Sequence, residues 1–87
     1  MATVWIPSLM RDLTAGQERV DVPGRRVSEV IEALEAAYPG LKGRLCRGGR
    51  IDPAISVWVD GRIAALGLRQ AVGECSEIQF LPAVAGG

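Results

Sequence analysis

The sequence predicts an α+β fold in which a mixed β-sheet packs on one main helix. One segment, residues 27–38, carries its apolar residues at helical spacing. Segments on both sides of it alternate between apolar and polar residues, as half-buried strands do. The chain has 87 residues, 48% of them hydrophobic, which suits one small domain with a modest core.

Two alternating segments before the helix predict a β-hairpin. Residues 3–6 form the first strand, which Pro7 ends. Residues 8–16 are expected to be a loop, and residues 17–22 to be the second strand. Pro23-Gly24 closes this unit.

The helix is predicted over residues 27–38. Glu29 and Glu32 near its start suit the helix dipole, and Pro39-Gly40 ends it. Residues 41–45 suggest one further short turn. The apolar stripe of the helix consists of Val27, Val30, Ile31, Leu34 and Tyr38.

The region after the helix predicts a surface loop and three more strands. Residues 46–53 are polar and glycine-rich, as surface loops are. Residues 55–59 alternate, and Asp60-Gly61 is a strong hairpin-turn signal, so residues 62–65 are the return strand. Residues 77–81 form the last strand, and Pro82 is expected to end its pairing.

We expect the first and last strands to lie side by side in the centre of the sheet. This arrangement divides the chain into a folded domain, residues 1–82, and a flexible C-terminal tail, residues 83–87. The residues buried under the helix would then be Val4, Ile6, Ile78 and Phe80.

Composition excludes several classes of function. Ten basic residues balance ten acidic ones, so nothing requires a nucleic-acid-binding face. No apolar run is long enough to cross a membrane. Two isolated cysteines without a recognisable secretory signal favour a cytoplasmic protein with reduced thiols. One basic cluster, residues 42–50, is either a solvated loop surface or a docking patch for an acidic partner.

The absence of histidine argues against an enzyme. Histidine is the commonest general base and the commonest metal ligand, and this chain has none. No nucleophile–base constellation and no clustered carboxylates replace it. We therefore expect no catalytic residues, no metal site and no bound cofactor.

The chain ends in Gly86-Gly87, shortly after the last predicted strand. A diglycine has no side chains, so it can enter a narrow cleft and present its terminal carboxylate. The alternative interpretation is an ordinary loose terminus.

The whole chain resembles the ubiquitin-like sulfur carriers, the MoaD and ThiS family. The C-terminal heptapeptide is the most specific part. The Ile-Pro-Ser opening and the Leu-Thr-Ala-Gly loop resemble most the CysO-like branch, whose carriers deliver sulfur for cysteine synthesis. The segments that carry the resemblance are Val4-Trp5-Ile6-Pro7-Ser8, Leu13-Thr14-Ala15-Gly16, residues 27–35, Tyr38-Pro39-Gly40, Val57-Trp58-Val59-Asp60-Gly61 and Leu81-Pro82-Ala83-Val84-Ala85-Gly86-Gly87.

The resemblance implies a β-grasp fold and a carrier role for Gly87. A partner related to ubiquitin-activating enzymes would use ATP to adenylate the Gly87 carboxylate. A sulfur donor would then displace AMP and leave a thiocarboxylate, which a downstream synthase would accept. Val84, Ala85 and Gly86 would thread the cleft of the activating partner.

Three side chains, Trp5, Trp58 and Leu81, are out of phase with the core residues of their strands. If these strands are neighbours, the three form an apolar docking patch beside the root of the tail. The alternatives are that loops cover them, or that Trp58 only shields the sheet.

Other functions share the same sequence features. The protein is either such a carrier, for cysteine, molybdopterin or thiamine synthesis, or a ubiquitin-like modifier joined through Gly87 to lysines of other proteins. A third class is a non-covalent interaction domain in which the diglycine end has no role.

Overall fold

The computed structural model describes residues 1–83. The main helix α1 spans Val27–Ala37, and a short helix α2 spans Leu41–Leu45. Two 3-10 helices cover Ser8–Thr14 and Gly67–Arg69. The strands are β1 (Ala2–Trp5), β2 (Arg19–Val22), β3 (Cys46–Arg47), β4 (Arg50–Ile51), β5 (Ile55–Val59), β6 (Arg62–Ile63) and β7 (Glu77–Pro82).

The main sheet has the strand order β2-β1-β7-β5-β6. β1 and β7 are parallel neighbours, with Thr3 opposite Glu77, and the other pairs are antiparallel. The prediction that the first and last strands lie side by side in a mixed sheet is confirmed. β3 and β4 form a separate two-stranded hairpin.

Helix α1 covers the inner face of this sheet. All four residues predicted to lie under it, Val4, Ile6, Ile78 and Phe80, are at most 4% exposed. Burying such a side chain contributes about 1.5–3 kcal/mol. The helix buries Val27, Val30, Ile31 and Leu34 against them.

A close approach between α1 and the segment before it depends on Gly24. This residue has φ +152°, and a Cβ there would lie 2.7 Å from Val30 Cγ2. Any side chain would therefore push the start of the helix away from the sheet.

Two predicted loops contain regular structure. The loop predicted over residues 8–16 is wrong, because most of it is the 3-10 helix Ser8–Thr14. Thr14 is fully buried, with its Oγ1 2.9 Å from the carbonyl oxygen of Gln17. A local hydrogen bond and the packing of Met10 and Leu13 on the core thus order a segment that lacks helical periodicity.

The loop predicted over residues 46–53 is also wrong in part. It contains the β3–β4 hairpin, whose turn is Gly48-Gly49 with φ +60° and +77°. Positive φ at both central residues is what a two-residue hairpin turn of type I′ requires. Strands of only two residues are too short to show alternation.

The return strand after Asp60-Gly61 is shorter than predicted. Only Arg62–Ile63 pairs as β6, and the Ala64 N–H still donates to the Val57 carbonyl at 2.8 Å. The chain then bends into the second 3-10 helix, so residues 64–65 are not part of the strand.

Pro82 does not end the pairing of β7, contrary to the prediction. Pro82 lies opposite Ile55, and the next residue, Ala83, donates its N–H to the Ala54 carbonyl at 2.9 Å. Successive N–H groups of a strand point to opposite sides, so the N–H that Pro82 lacks would face away from β5. On that side β1 pairs only as far as Gln79. The ladder therefore loses no hydrogen bond at Pro82.

Candidate functional site

A row of side chains crosses the outer face of the sheet, opposite α1. Trp5 lies between Arg19 on β2 and Gln79 on β7, and Trp58 lies between Gln79 and Ile63 on β6. We call Arg19, Trp5, Gln79, Trp58 and Ile63 the outer row. It includes one residue from each of the five strands of the main sheet.

Trp5 is half-buried and has a cationic neighbour in the row. The guanidinium carbon of Arg19 lies 5.6 Å from the centroid of its ring. At this distance the positive charge is attracted to the ring face. The contact holds one side of Trp5 and leaves part of the ring open to solvent.

Trp58 is linked by hydrogen bonds to the end of β7. Its Nε1 donates to the Ser56 hydroxyl at 3.0 Å, and that hydroxyl donates to the Leu81 carbonyl at 3.2 Å. Leu81 lies opposite Ser56 in the ladder. Hydrogen bonds through Ser56 therefore link the indole to the C-terminal end of β7.

The structure places Trp5, Trp58 and Leu81 on one face of the sheet. Gln79 stands between the two tryptophans, and Leu81, 42% exposed, lies two residues beyond Gln79. Sequence reasoning missed Gln79 because only the strand register shows that it separates the tryptophans.

A cleft of about 450 Å³ lies next to Leu81, where β7 ends. The first 3-10 helix forms one wall with Pro7, Leu9 and Met10. Leu9 is 86% exposed. We call this the exit cleft, since β7 ends beside it. Sequence reasoning missed the cleft because residues 8–16 were predicted to be a loop.

The opposite end of β7 is held by Asp60. Its carboxylate accepts hydrogen bonds from the Glu77 N–H at 2.9 Å and from the Ser76 hydroxyl at 2.7 Å. These bonds, the backbone one foremost, lower the pKa of Asp60 below its ordinary value. The residue has φ +52°, a conformation that aspartate tolerates better than most residues. The turn Asp60-Gly61, which we call the Asp60 turn, thereby fixes the start of β7.

Two further kinds of site can be checked in the described part of the chain. Within residues 1–83, no three His, Cys, Asp or Glu side chains lie close enough together to hold a metal ion. Among the same residues, no helix is both long enough and apolar enough to pass through a bilayer.

Four predicted site residues, Val84, Ala85, Gly86 and Gly87, lie outside the described residues. Their roles stay predictions, as does the domain boundary between residues 82 and 83. The structure shows that backbone pairing continues to Ala83.

Comparison with known proteins identifies the family. The ThiS family model matches residues 4–87, which is nearly the whole chain and includes the C-terminal diglycine. The chain belongs to the ThiS family. The predicted relationship to the MoaD and ThiS proteins is therefore confirmed.

A curated relative is the sulfur carrier protein CysO of Mycobacterium tuberculosis. It is 36% identical over 91 aligned positions, which cover 98% of this chain and 97% of the relative. Small archaeal modifier protein 3 of Haloferax volcanii is also 36% identical, over 70% of this chain and 68% of its own length. The predicted similarity to the CysO-like branch is confirmed.

The fold agrees with solved structures of this family. One chain in the crystal structure of the Amycolatopsis orientalis BexX/CysO complex superimposes with a TM-score of 0.92 at 34% identity. Both chains are covered completely. The mixed sheet on one main helix is thus the β-grasp fold that the resemblance implied.

Proposed function

We propose that this protein is a sulfur carrier whose C-terminal Gly87 carboxylate is converted to a thiocarboxylate for cysteine biosynthesis. One observation carries the proposal: the chain is similar over its full length, up to the diglycine, to proteins named sulfur carriers. Molybdopterin or thiamine synthesis is the alternative destination for the sulfur.

The chemistry begins at a carboxylate, which is a poor electrophile. An oxygen of the Gly87 carboxylate attacks the α-phosphorus of ATP, and pyrophosphate leaves. Sulfide from a sulfur donor then attacks the carbonyl carbon, the bond from this carbon to the phosphate oxygen breaks, AMP leaves with the electron pair, and solvent takes the sulfide proton. The resulting thiocarboxylate is an anionic sulfur nucleophile, which attacks an electrophile held by a synthase. Hydrolysis of the acyl product regenerates the carboxylate.

The carrier supplies the reacting carbon and no catalytic group. The chain has no histidine, so an adenylyltransferase of the ubiquitin-activating type must provide ATP binding and proton transfer. A sulfur donor and a downstream synthase complete the set of partners. Gly86 and Gly87 carry no Cβ, so neither adds bulk beside the reacting carbon.

The outer row and the exit cleft form the docking surface in this proposal. The half-buried Trp5 and Trp58 offer the large apolar contacts that dominate interface energetics. Leu81 and the exposed Leu9 continue this surface to the end of β7. A partner that covers it would hold the carrier close to the residue that reacts.

Intact-mass spectrometry tests the proposal directly. The protein is incubated with a cognate adenylyltransferase, ATP and a sulfur source. We expect one oxygen of the C-terminal carboxylate to be replaced by sulfur, with the change located at Gly87 by fragmentation. A variant that lacks Gly86 and Gly87 is the control and should not change. Full sulfur transfer by this shortened variant would refute the carrier role of Gly87.

A protein modifier is the second candidate function. The similarity to small archaeal modifier protein 3 favours it, since both functions begin with the same activation of a C-terminal glycine. The same experiment separates them when other proteins are present. Adducts on lysines of those proteins would indicate a modifier. If neither this chain nor the other proteins change in mass, a non-covalent interaction domain is favoured.

A further inference from the structure

The basic residues of this chain are nine arginines and one lysine, Lys42. The distinction matters for a protein with an activated carboxyl group. A neutral lysine amine accepts acyl groups, whereas guanidinium remains protonated at neutral pH and offers no lone pair. Nine of the ten basic side chains are thus inert toward acylation.

The remaining amine lies in an ion pair. Lys42 Nζ donates a hydrogen bond to Glu32 Oε2, and the two side chains are about half exposed. Glu35 lies close by, since its carboxylate accepts the backbone N–H of Lys42 at 3.0 Å. Glu32 is therefore the carboxylate paired with the amine, and Cys46 and Glu35 are further titratable groups near it.

These neighbours favour the ammonium form of Lys42. The hydrogen bond to Glu32 raises the pKa of the amine, and the negative charge of Glu32 adds to this effect. Desolvation of the amine opposes the effect of Glu32 on this pKa, and smaller contributions from Cys46 and Glu35 act in the same direction as Glu32. An ammonium ion has no lone pair and cannot attack a carbonyl carbon.

The N-terminal amine lies beyond the reach of the same molecule's C-terminus. Because Thr3 is opposite Glu77 in parallel strands, Met1 and Pro82 are about seven residue steps, or roughly 23 Å, apart along the strand direction. The five residues after Pro82 span at most ~18 Å when fully extended. The terminal carbonyl carbon therefore cannot return to its own α-amine.

We propose that this chain limits acylation of its side-chain amines by its own activated carboxyl terminus, with Glu32 as the residue that protects Lys42. The proposal rests on the adenylation of Gly87 proposed above. In the reaction that is avoided, the Lys42 nitrogen of a second molecule attacks the Gly87 carbonyl carbon. A C–N bond forms, the bond to phosphate breaks, AMP leaves with the electron pair, and solvent takes the proton. Such an amide would block the Gly87 carboxyl group of the activated molecule, which could then no longer carry sulfur.

Chemical acylation tests the role of Glu32 without any partner enzyme. The wild type, Glu32→Gln and the control Glu74→Gln, which removes an exposed carboxylate elsewhere, are treated with limiting acetyl N-hydroxysuccinimide over a range of pH. We expect Lys42 in Glu32→Gln to react about two- to fivefold faster, the range set by an exposed ion pair. Its rate profile should move to lower pH, and Glu74→Gln should match the wild type. Equal Lys42 rates and profiles in Glu32→Gln and the wild type would overturn the proposal.

Enzymatic activation tests the role of the arginines. The chain is incubated with its adenylyltransferase and ATP, without a sulfur donor, and self-adducts are measured by intact mass. The variant R47K/R50K/R62K keeps the charge of three exposed arginines but adds three amines. We expect it to form several times more self-adduct than the wild type, and Glu32→Gln to form adducts that K42R removes.

The two assays separate this proposal from the proposed function. If R47K/R50K/R62K is adenylated but forms no more adduct than the wild type, the use of arginine in place of lysine does not reduce self-acylation, and the proposal fails. If no variant is adenylated, the carrier function fails, and the chemical acylation of Lys42 alone decides whether Glu32 protects the amine.

Discussion

The two faces of the central sheet differ by a single step along each strand. On the inner face, Val20, Val4, Ile78 and Val59 lie in register across four strands. The neighbouring residue in each strand belongs to the outer row, where Arg19, Trp5, Gln79 and Trp58 occupy the same four strands. The inner row is aliphatic and packs under α1, whereas the outer row is aromatic and polar and faces solvent.

This contrast shows how one sheet separates stability from recognition. The inner side chains are small and branched, and they are covered by the helix stripe, so their contribution is to the free energy of folding. On the outer face, Trp5 and Trp58 are only partly covered, although they are among the largest apolar groups in the chain. Such groups contribute more when a partner completes their burial.

The largest expected effect is at the centre of the inner row. Ile78→Ala removes a side chain that is 0% exposed, so we expect a loss of about 2–5 kcal/mol in the free energy of unfolding. The neighbouring outer substitution Gln79→Ala should change it by no more than about 0.5 kcal/mol. Urea denaturation of both variants measures the difference. Equal losses in the free energy of unfolding at the two positions would show that the inner face does not contribute more to stability than the outer face.

The second effect concerns recognition. Trp5→Ala removes an outer-row anchor, and we expect kcat/KM for adenylation to fall about tenfold, as for the loss of an interface aromatic. The free energy of unfolding should fall by about 1–2 kcal/mol, less than at a fully buried position, because the side chain is partly exposed. Pyrophosphate release with the partner enzyme measures the first quantity, and thermal unfolding the second. Leu66→Ala, an exposed apolar residue outside the row, is the control. A loss of stability that accounts for the whole loss of activation would refute the docking role.

The smallest expected effect is in the Asp60 turn, which holds the start of β7. The pKa of Asp60 is lower in the folded state than in the unfolded one, so the folded state favours the ionised carboxylate. Its stabilisation is complete above the unfolded pKa of about 3.9 and is lost as the pH falls through the folded value. Asp60→Asn should therefore be less stable at neutral pH, by no more than ~1 kcal/mol since solvent screens this exposed carboxylate, and the loss should be smaller at acidic pH.

Urea denaturation at several pH values between about 2 and 7 checks this prediction, since that window spans the titration of an aspartate. The difference in stability between wild type and Asp60→Asn should shrink as the pH falls. Glu74→Gln, which removes another exposed carboxylate, is the control for the general effect of charge. A difference that stays constant with pH would show that the carboxylate does not stabilise the start of β7.

Much of the fold follows from local pattern. The helix prediction over residues 27–38 differs from α1 by one residue, because its apolar stripe and Pro39-Gly40 are strong signals. The strands at residues 55–59 and 77–81 were also predicted closely, since alternation extends over their whole length. The β3–β4 hairpin and the first 3-10 helix were missed, since neither is long enough to show a period.

The site was predicted only in part. Alternation is sufficient to place Trp5, Trp58 and Leu81 on the outer face, because it needs no knowledge of the neighbouring strands. The position of Gln79 between the tryptophans depends on the register of three strands. The exit cleft depends on the packing of the first 3-10 helix against the end of β7.

The sequence by itself determined which residues face the core, where the main helix lies, and that the chain ends in a diglycine. Each of these depends on periodicity or residue type, which are local properties of the chain. Only the tertiary structure decided that Pro82 stays within the ladder, that Lys42 meets Glu32, and that the outer row crosses all five strands. These contacts join residues distant in sequence, and the packing of the whole domain sets their distances.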